Sequence, residues 1–240
     1  MTAATVLQLS DTHLTAQLGG PVNGLDPDAR LEVVLAAVRR SGLRPDLVVL
    51  TGDNADDASQ PACERLRHAV TTLGAPVLAV AGNHDDPAIV ADVFGAGHQA
   101  EVGAWRVVTF DSSRPGQIHG TLDVPAAIAR LDALDARQTV VAVHHPPRSR
   151  STHPWFRLDG ADALLEGLTA RPHVRAVITG HVHDAFSFSG PGGLALLGCP
   201  STLMAISHAG TDMEIGSKGP TGARILTLDG DDLSTELLIA

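Results

Sequence analysis

The sequence predicts an α/β fold in which two β-sheets pack face to face with helices outside. Three observations carry that expectation. Short runs of Val, Leu and Ile alternate with longer amphipathic segments. The alternation gives way, after His183, to strands with no long helix between them. No linker and no internal repeat divides the 240 residues, so residues 1–240 read as a single domain. In chain order, the buried strands are expected at Val6–Leu9, Leu47–Leu50, Val77–Val80, Val107–Phe110, Val140–Val143 and Val174–Ile178. They lack the polar alternation of a half-exposed strand, as parallel strands covered on both faces do. Helical patterns lie between them at Asp28–Arg40, Gln60–Leu73, Pro87–Phe94, Pro125–Leu134 and Ala161–Thr169. The later strands, Phe186–Ser189, Leu194–Leu197, Ala223–Leu228 and Leu233–Ile239, suggest a second sheet built largely from hairpins. Pro146–Pro154 and Ala209–Gly222 read as long irregular stretches.

Composition excludes several classes. Hydrophobic residues make up 44% and charged residues 18%, which is a globular balance. The formal net charge of −10 argues against a nucleic-acid polymer as partner, because such binding relies on Lys and Arg. Lys218 is the sole lysine, so nearly all positive charge is Arg. Cys63 and Cys199 make neither a disulfide framework nor a thiolate zinc site. No apolar run is long enough to span a membrane and no basic leader opens the chain, so a soluble cytoplasmic protein is expected.

The chemistry gathers just past the buried strands. Five of them lead, in order, into Asp11-Thr12-His13, Gly52-Asp53-Asn54-Ala55-Asp56, Gly82-Asn83-His84-Asp85, His144-His145-Pro146-Pro147 and Gly180-His181-Val182-His183. That edge of an open α/β sheet is where ligands bind. With 12 His in the chain, about one Asp-x-His match is expected by chance, whereas Gly-Asn-His has an expectation of only about 0.015. Carboxylate, imidazole and amide oxygen without thiolate suit Mn, Fe, Zn or Mg. Asp53 has two oxygens with which to bridge two ions. Two such ions can clamp both oxygens of a phosphoryl transfer and acidify a water between them.

These blocks resemble, in type and order, the five signature blocks of the calcineurin-like metallophosphoesterase superfamily, over residues 11 to 183. Asp56, Asp85 and the His-His-Pro-Pro block look most like the class III cyclic nucleotide phosphodiesterases and related glycerophosphodiesterases. The resemblance implies a four-layer αββα sandwich and two divalent metal ions per chain. Asp11, His13, Asp53 and His183 would hold one ion, and Asp53, Asn83, His144 and His181 the other. Choosing His144 over His145 rests on block alignment. His84 would stabilise the phosphate or protonate the leaving alkoxide, with Asp85 orienting it.

Around this set lie residues with two readings each. His119 either borders the site or sits in a plain turn, and His145 is a pocket candidate. Arg148, with Arg150, His153 and Arg157, either captures substrate phosphate or decorates a solvated loop. Trp155-Phe156 either stacks on a nucleobase or anchors its loop. Gly198-Cys199-Pro200-Ser201-Thr202 resembles the Pro-Ser-Thr turn of the phosphodiesterase group and either approaches the pocket or, as the favoured reading, is a turn between strands. His68, His98, His173 and His208 read as ordinary surface or core residues. The implied activity is hydrolysis of a small-molecule phosphodiester, a 3′,5′-cyclic nucleotide such as cAMP first and a glycerophosphodiester second. A protein Ser/Thr phosphatase fits less well, because Asn54 and Asp85 stand where that group carries Arg and Glu. A non-catalytic metal-dependent scaffold is the rival of another class, although every ligand is retained. A homodimer is left open.

Overall fold

A computed structural model describes residues 3–209, 211–217 and 219–240. Three strand–helix units open the chain: β1 (Ala4–Leu9) and α1 (Pro27–Arg40), β2 (Leu47–Thr51) and α2 (Gln60–Thr71), β3 (Val77–Val80) and α3 (Pro87–Phe94). A hairpin of β4 (Gln99–Val102) and β5 (Trp105–Phe110) follows, then the short β6 (Gly120–Thr121), α4 (Val124–Asp132), β7 (Thr139–Val143), the short β8 (Leu158–Asp159), α5 (Ala161–Thr169) and β9 (Val174–Thr179). Six strands end the chain: β10 (Phe186–Ser189), β11 (Ala195–Gly198), β12 (Ala205–Ala209), β13 (Asp212–Ser217), β14 (Gly222–Asp229) and β15 (Asp232–Ile239). Helices α1, α3 and α4 start alike. Asp26, Asp86 and Asp123 accept a backbone N–H inside the first turn, and a proline follows where its missing donor costs nothing.

The strands form two large mixed sheets, ordered β15-β14-β1-β2-β3 and β10-β11-β9-β7-β5-β4. Strands β1–β3 run parallel in one, and β5, β7, β9 and β11 run parallel in the other. Alternate residues of each strand face opposite layers. Leu7, Leu9, Val48 and Leu50 pack under α1–α3, whereas Val6, Leu47 and Val49 meet Val107, Val140 and Ile178 between the sheets. Val141, Val143 and Val177 turn outward to α4 and α5. The result is the expected αββα sandwich.

Two expectations about the later strands differ from the structure. The four strands expected after His183 do not build a sheet of their own; they border both large sheets. β10 and β11 join β9, whereas β14 pairs antiparallel with β1 and carries β15 outside it. Burial explains the order: β14 is covered on both faces and lies inside the sheet, while the alternately exposed β15 takes the edge. Within Ala209–Gly222, the described residues include β13, which pairs with β12 as an antiparallel hairpin rather than running irregularly. Lys218 lies outside the described residues. Among the described residues no helix is long and apolar enough to cross a membrane.

Arg224 of β14 ties the sheets together. It is 2% exposed. Its guanidinium donates to the carbonyls of Gly198 (2.8 Å) and Phe186 (2.8 Å) and to Thr235 Oγ1 (2.9 Å). Buried acceptors that lose a charged donor cost about 1–3 kcal/mol each. Arg224→Met is therefore expected to lower unfolding free energy by about 2–4 kcal/mol in urea denaturation. A change within about 0.5 kcal/mol would mean that water replaces the guanidinium.

Candidate active site

The carboxyl ends of β1, β2 and β3 in one sheet and of β7 and β9 in the other converge on one point. Backbone hydrogen bonds lay the outgoing loops side by side: Asp11 N–H donates to Gly52 O (3.0 Å), His13 N–H to Asp53 O (2.9 Å) and Gly180 N–H to His144 O (3.1 Å). Asp11, His13, Asp53, His181 and His183 all have φ between 47° and 70°, the left-handed region. Asp and His tolerate it better than most residues, yet it remains strained and clusters at functional sites. Glycines permit the close approach. A Cβ on Gly82 would overlap the Asp53 carboxylate, and one on Gly52 would overlap the His144 ring.

The electrostatics follow from which ring nitrogens are already used. His183 Nδ1–H donates to Met204 O (2.9 Å) and His13 Nδ1–H to Asp56 Oδ1 (2.9 Å). Their Nε2 atoms are thereby left as bare lone pairs, yet they face each other at 3.1 Å. His144 Nδ1–H donates to Thr51 O (2.7 Å), so its Nε2, a lone pair when the ring is neutral, faces Asn83 Oδ1 (3.2 Å) and Asp53 Oδ2 (3.4 Å). His181 Nε2–H donates to Trp155 O (2.9 Å), which leaves Nδ1 as its lone pair. Asp53 Oδ1 accepts from His84 N–H (2.9 Å), and Oδ2 lies 3.7 Å from His13 Nε2, between the two imidazole groups. Acceptors that converge this closely without donors repel unless a cation joins them. One ligand atom each from Asp11, His13, Asp53 and His183 lies within 4.8 Å of all the others. The donor set fits divalent metal ions.

Protonation tells the same story. Burial opposes charge on His144, but the adjacent Asp53 carboxylate outweighs it and pushes the ring up to about 9. His13 is raised too, burial being outweighed by Asp56 and Asp53. Burial, with His144 and His13 respectively as unfavourable neighbours, lowers His145 to about 3 and His183 to about 4. Protons thus gather beside Asp53, where the electrostatic field favours positive charge.

The calcineurin-like phosphoesterase model matches residues 4–185. The chain belongs to that family. It is 34% identical to the 3′,5′-cyclic adenosine monophosphate phosphodiesterase CpdA of Pseudomonas aeruginosa, over 96% of this chain and 88% of that one. It is 30% identical to the cAMP/cGMP dual specificity phosphodiesterase of Mycobacterium tuberculosis, over 89% of this chain and 73% of that one. The fold is shared with a dimetal phosphatase from Danio rerio, with TM-score 0.68 and 14% identity over 98% of both chains.

Within this family frame, the structure brings together Asp11, His13, Asp53, Asn83, His144, His181 and His183. It separates His144 from His145 by chemistry. Both ring nitrogens of His145 are engaged, Nε2 with Ile118 O (2.9 Å) and Nδ1 with Ser112 Oγ (2.8 Å). His145 braces the loop that carries Ile118, although one of its ring nitrogens also lies within 4.8 Å of those of His144 and His181. His84 is exposed at the cleft, with Nδ1 on Asp56 O (3.0 Å) and 3.4 Å from Asp56 Oδ1. The expected partnership of Asp85 with His84 is corrected. The buried Asp85 carboxylate accepts from the backbone N–H groups of Gly82, Asn54 and Ala55 and locks two ligand loops together. Asp56 is the residue that contacts both His13 and His84. Two substrate candidates fall outside the cleft. His119 pairs with Asp159 (3.5 Å), and Arg148 is exposed beside Pro146 and Pro147. Ser201, in the turn that carried two readings, donates to Asp11 O (2.7 Å) and supports the Met204 segment that holds His183.

Metal occupancy tests the division of labour: His144→Ala is expected to lose metal by elemental analysis, and His145→Ala to keep it. Full occupancy in the first variant would remove His144 from the ligand set. In the metal-free protein, the raised His144 contributes stability that is present below the ordinary imidazole pKa and lost as pH rises towards about 9. The depressed His145 and His183 contribute stability present above that pKa and lost as pH falls towards about 4 and then 3. Denaturation in chelator should therefore show greatest stability near about pH 6.5, falling on both sides. A flat profile from about pH 5 to 9 would refute these assignments.

Proposed function

We propose that the chain is a binuclear metal-dependent phosphodiesterase whose preferred substrate is a 3′,5′-cyclic nucleotide. The observation that carries it is the gathering of ring nitrogens of His13, His144, His181 and His183 with the carboxylates of Asp11 and Asp53 and the amide oxygen of Asn83. Asp11, His13, Asp53 and His183 would hold one ion; Asp53, Asn83, His144 and His181 would hold the other. Bound divalent ions supply positive charge for the phosphoryl group and acidify water. The names of the similar bacterial enzymes support the substrate class.

The chain's own groups do the rest. Asp53 sets the spacing of the two points, its Oδ2 lying between His13 and His144. His84 hydrogen-bonds Asp56 through Nδ1, so Nε2 is the nitrogen free to hand a proton to the departing ester oxygen. The Asp56 carboxylate, 3.4 Å from the same Nδ1, helps hold the ring in that orientation. A cleft of about 190 Å³ opens from this point and is walled largely by apolar side chains. The net charge of −10 disfavours a polyanionic substrate.

Hydrolysis of cAMP and of a small chromogenic diester by manganese-loaded protein, with a chelator control, tests the proposal. Chelator-sensitive turnover of both is expected. Turnover of the chromogenic ester alone would move the substrate to another class, such as a glycerophosphodiester. No turnover at full metal occupancy would favour a scaffold. His84→Ala is expected to retain metal and lose about 10²-fold or more in kcat. Asp53→Asn is expected to impair binding of both ions, and full occupancy there would refute the bridging role.

A further inference from the structure

The cleft has two chemically different halves. One is the ligand cluster. The other is formed by Ile118, Trp155, Met204, Ile206, Met213 and Ile215. Three of these are large apolar side chains that stay exposed: Ile118 is 41%, Trp155 41% and Ile215 46% accessible. A phosphodiester with its phosphate at the cluster can lay its organic part against this wall. Among the described residues, the wall outside the cluster carries one amide, Asn23, and the indole N–H of Trp155. An apolar aromatic wall with so few polar groups suits the flat face of a ring better than its hydrogen-bonding edge.

Trp155 is the aromatic ring best placed to receive it. It lies in the turn Pro154–Phe156, which is fixed to the site at two points. The Trp155 carbonyl accepts from His181 Nε2, and the neighbouring Phe156 ring is buried against the His181 ring at 5.2 Å. His153 abuts the indole edge-on, with ring centroids 5.0 Å apart and planes at 82°. The turn therefore carries a pre-positioned indole whose backbone, not its side chain, serves the ligand His181. Trp155 is otherwise costly to leave exposed at a rim, since its large apolar surface gains most from burial.

Building on the cyclic-nucleotide reading above, we propose that Trp155 is a specificity-determining residue that stacks on the nucleobase of the substrate. Base–aromatic stacking is tolerant of base identity. Adenine and guanine cyclic nucleotides should therefore be used with similar KM.

Steady-state kinetics on the metal-loaded full chain tests this with three substrates: 3′,5′-cyclic AMP, 3′,5′-cyclic GMP and ribose 3′,5′-cyclic phosphate, which lacks a base. Trp155→Ala is expected to raise KM for both nucleotides by about tenfold or more, with kcat within about twofold. Its KM for the baseless substrate should not change, its metal content should match the parent, and Trp155→Phe should restore most of the loss. Unchanged nucleotide KM in Trp155→Ala would overturn the proposal, as would an equal loss on the baseless substrate, which would make Trp155 a purely structural support. If the parent protein cleaves a small chromogenic diester but neither nucleotide, the cyclic-nucleotide reading itself fails, an outcome distinct from either of these.

Discussion

The structure is organised around an electrostatic demand: imidazole nitrogens and carboxylate oxygens are pressed together so closely that a proton or a cation has to lie between them. His13 Nε2 and His183 Nε2 are 3.1 Å apart, and His144 Nε2 has only Asn83 Oδ1 and Asp53 Oδ2 as near neighbours on that side. Each imidazole is forced into this role because its other nitrogen must donate, to Asp56 or to the carbonyls of Met204 and Thr51. Removing any of these partners would let a ring rotate or change tautomer and relieve that demand. The arrangement persists because positive charge at the centre stabilises it, and the raised His13 and His144 show the same field acting on protons. Metal binding, folding and protonation are consequently one linked equilibrium at this point.

Two sheets have to end at the same place for that geometry to exist. Asp11, Asp53 and Asn83 come from one sheet and His144, His181 and His183 from the other, so the packing between the sheets sets the ligand distances. Gln8 shows how closely the two are joined, donating to Thr51 Oγ1 in its own sheet and to Thr179 O in the opposite one (both 3.0 Å). The left-handed turns at five of the clustered residues are the local cost of bending each chain end inward, on the order of 1–3 kcal/mol apiece. The buried Asp85 carboxylate helps offset it by accepting four hydrogen bonds from two of the loops.

Much of this was legible in the sequence because strand and ligand are adjacent in the chain. A buried run followed at once by Asp, Asn or His marks both an element and its functional end, and β1, β2, β3, β7 and β9 all carry that mark. What stayed hidden depends on contacts distant in sequence. The tautomers are set by the carbonyls of Thr51, Trp155 and Met204, and a carbonyl has no residue identity to read. His145 looked as able a ligand as His144 until Ser112 and Ile118 were seen to occupy both of its nitrogens. Asp85 stands next to His84 in the chain, yet its carboxylate turns into the interior, and Asp56 takes the contact. The placing of β14 and β15 beside β1 likewise rests on a pairing across more than two hundred residues, which local pattern cannot reveal.

The division between rigid cluster and apolar wall bears on how such a site acquires selectivity. On the proposed reading, the cluster would recognise what every phosphodiester has in common and so could discriminate little among them. Discrimination has to come from the wall, which is built from the turn at Pro154–Phe156, the β12–β13 hairpin and the Ile118 loop rather than from the central strands. Each of these is pinned to the cluster from behind: Trp155 O by His181, Ile118 O by His145, and Ile206 N–H by the carbonyl of His183. Backbone atoms make the pins, and the side chains that face the cleft are left free to vary. Substrate preference can therefore change at Trp155, Ile118 or Ile206 without disturbing the tautomers on which metal binding depends, which separates the chemistry of this site from its specificity.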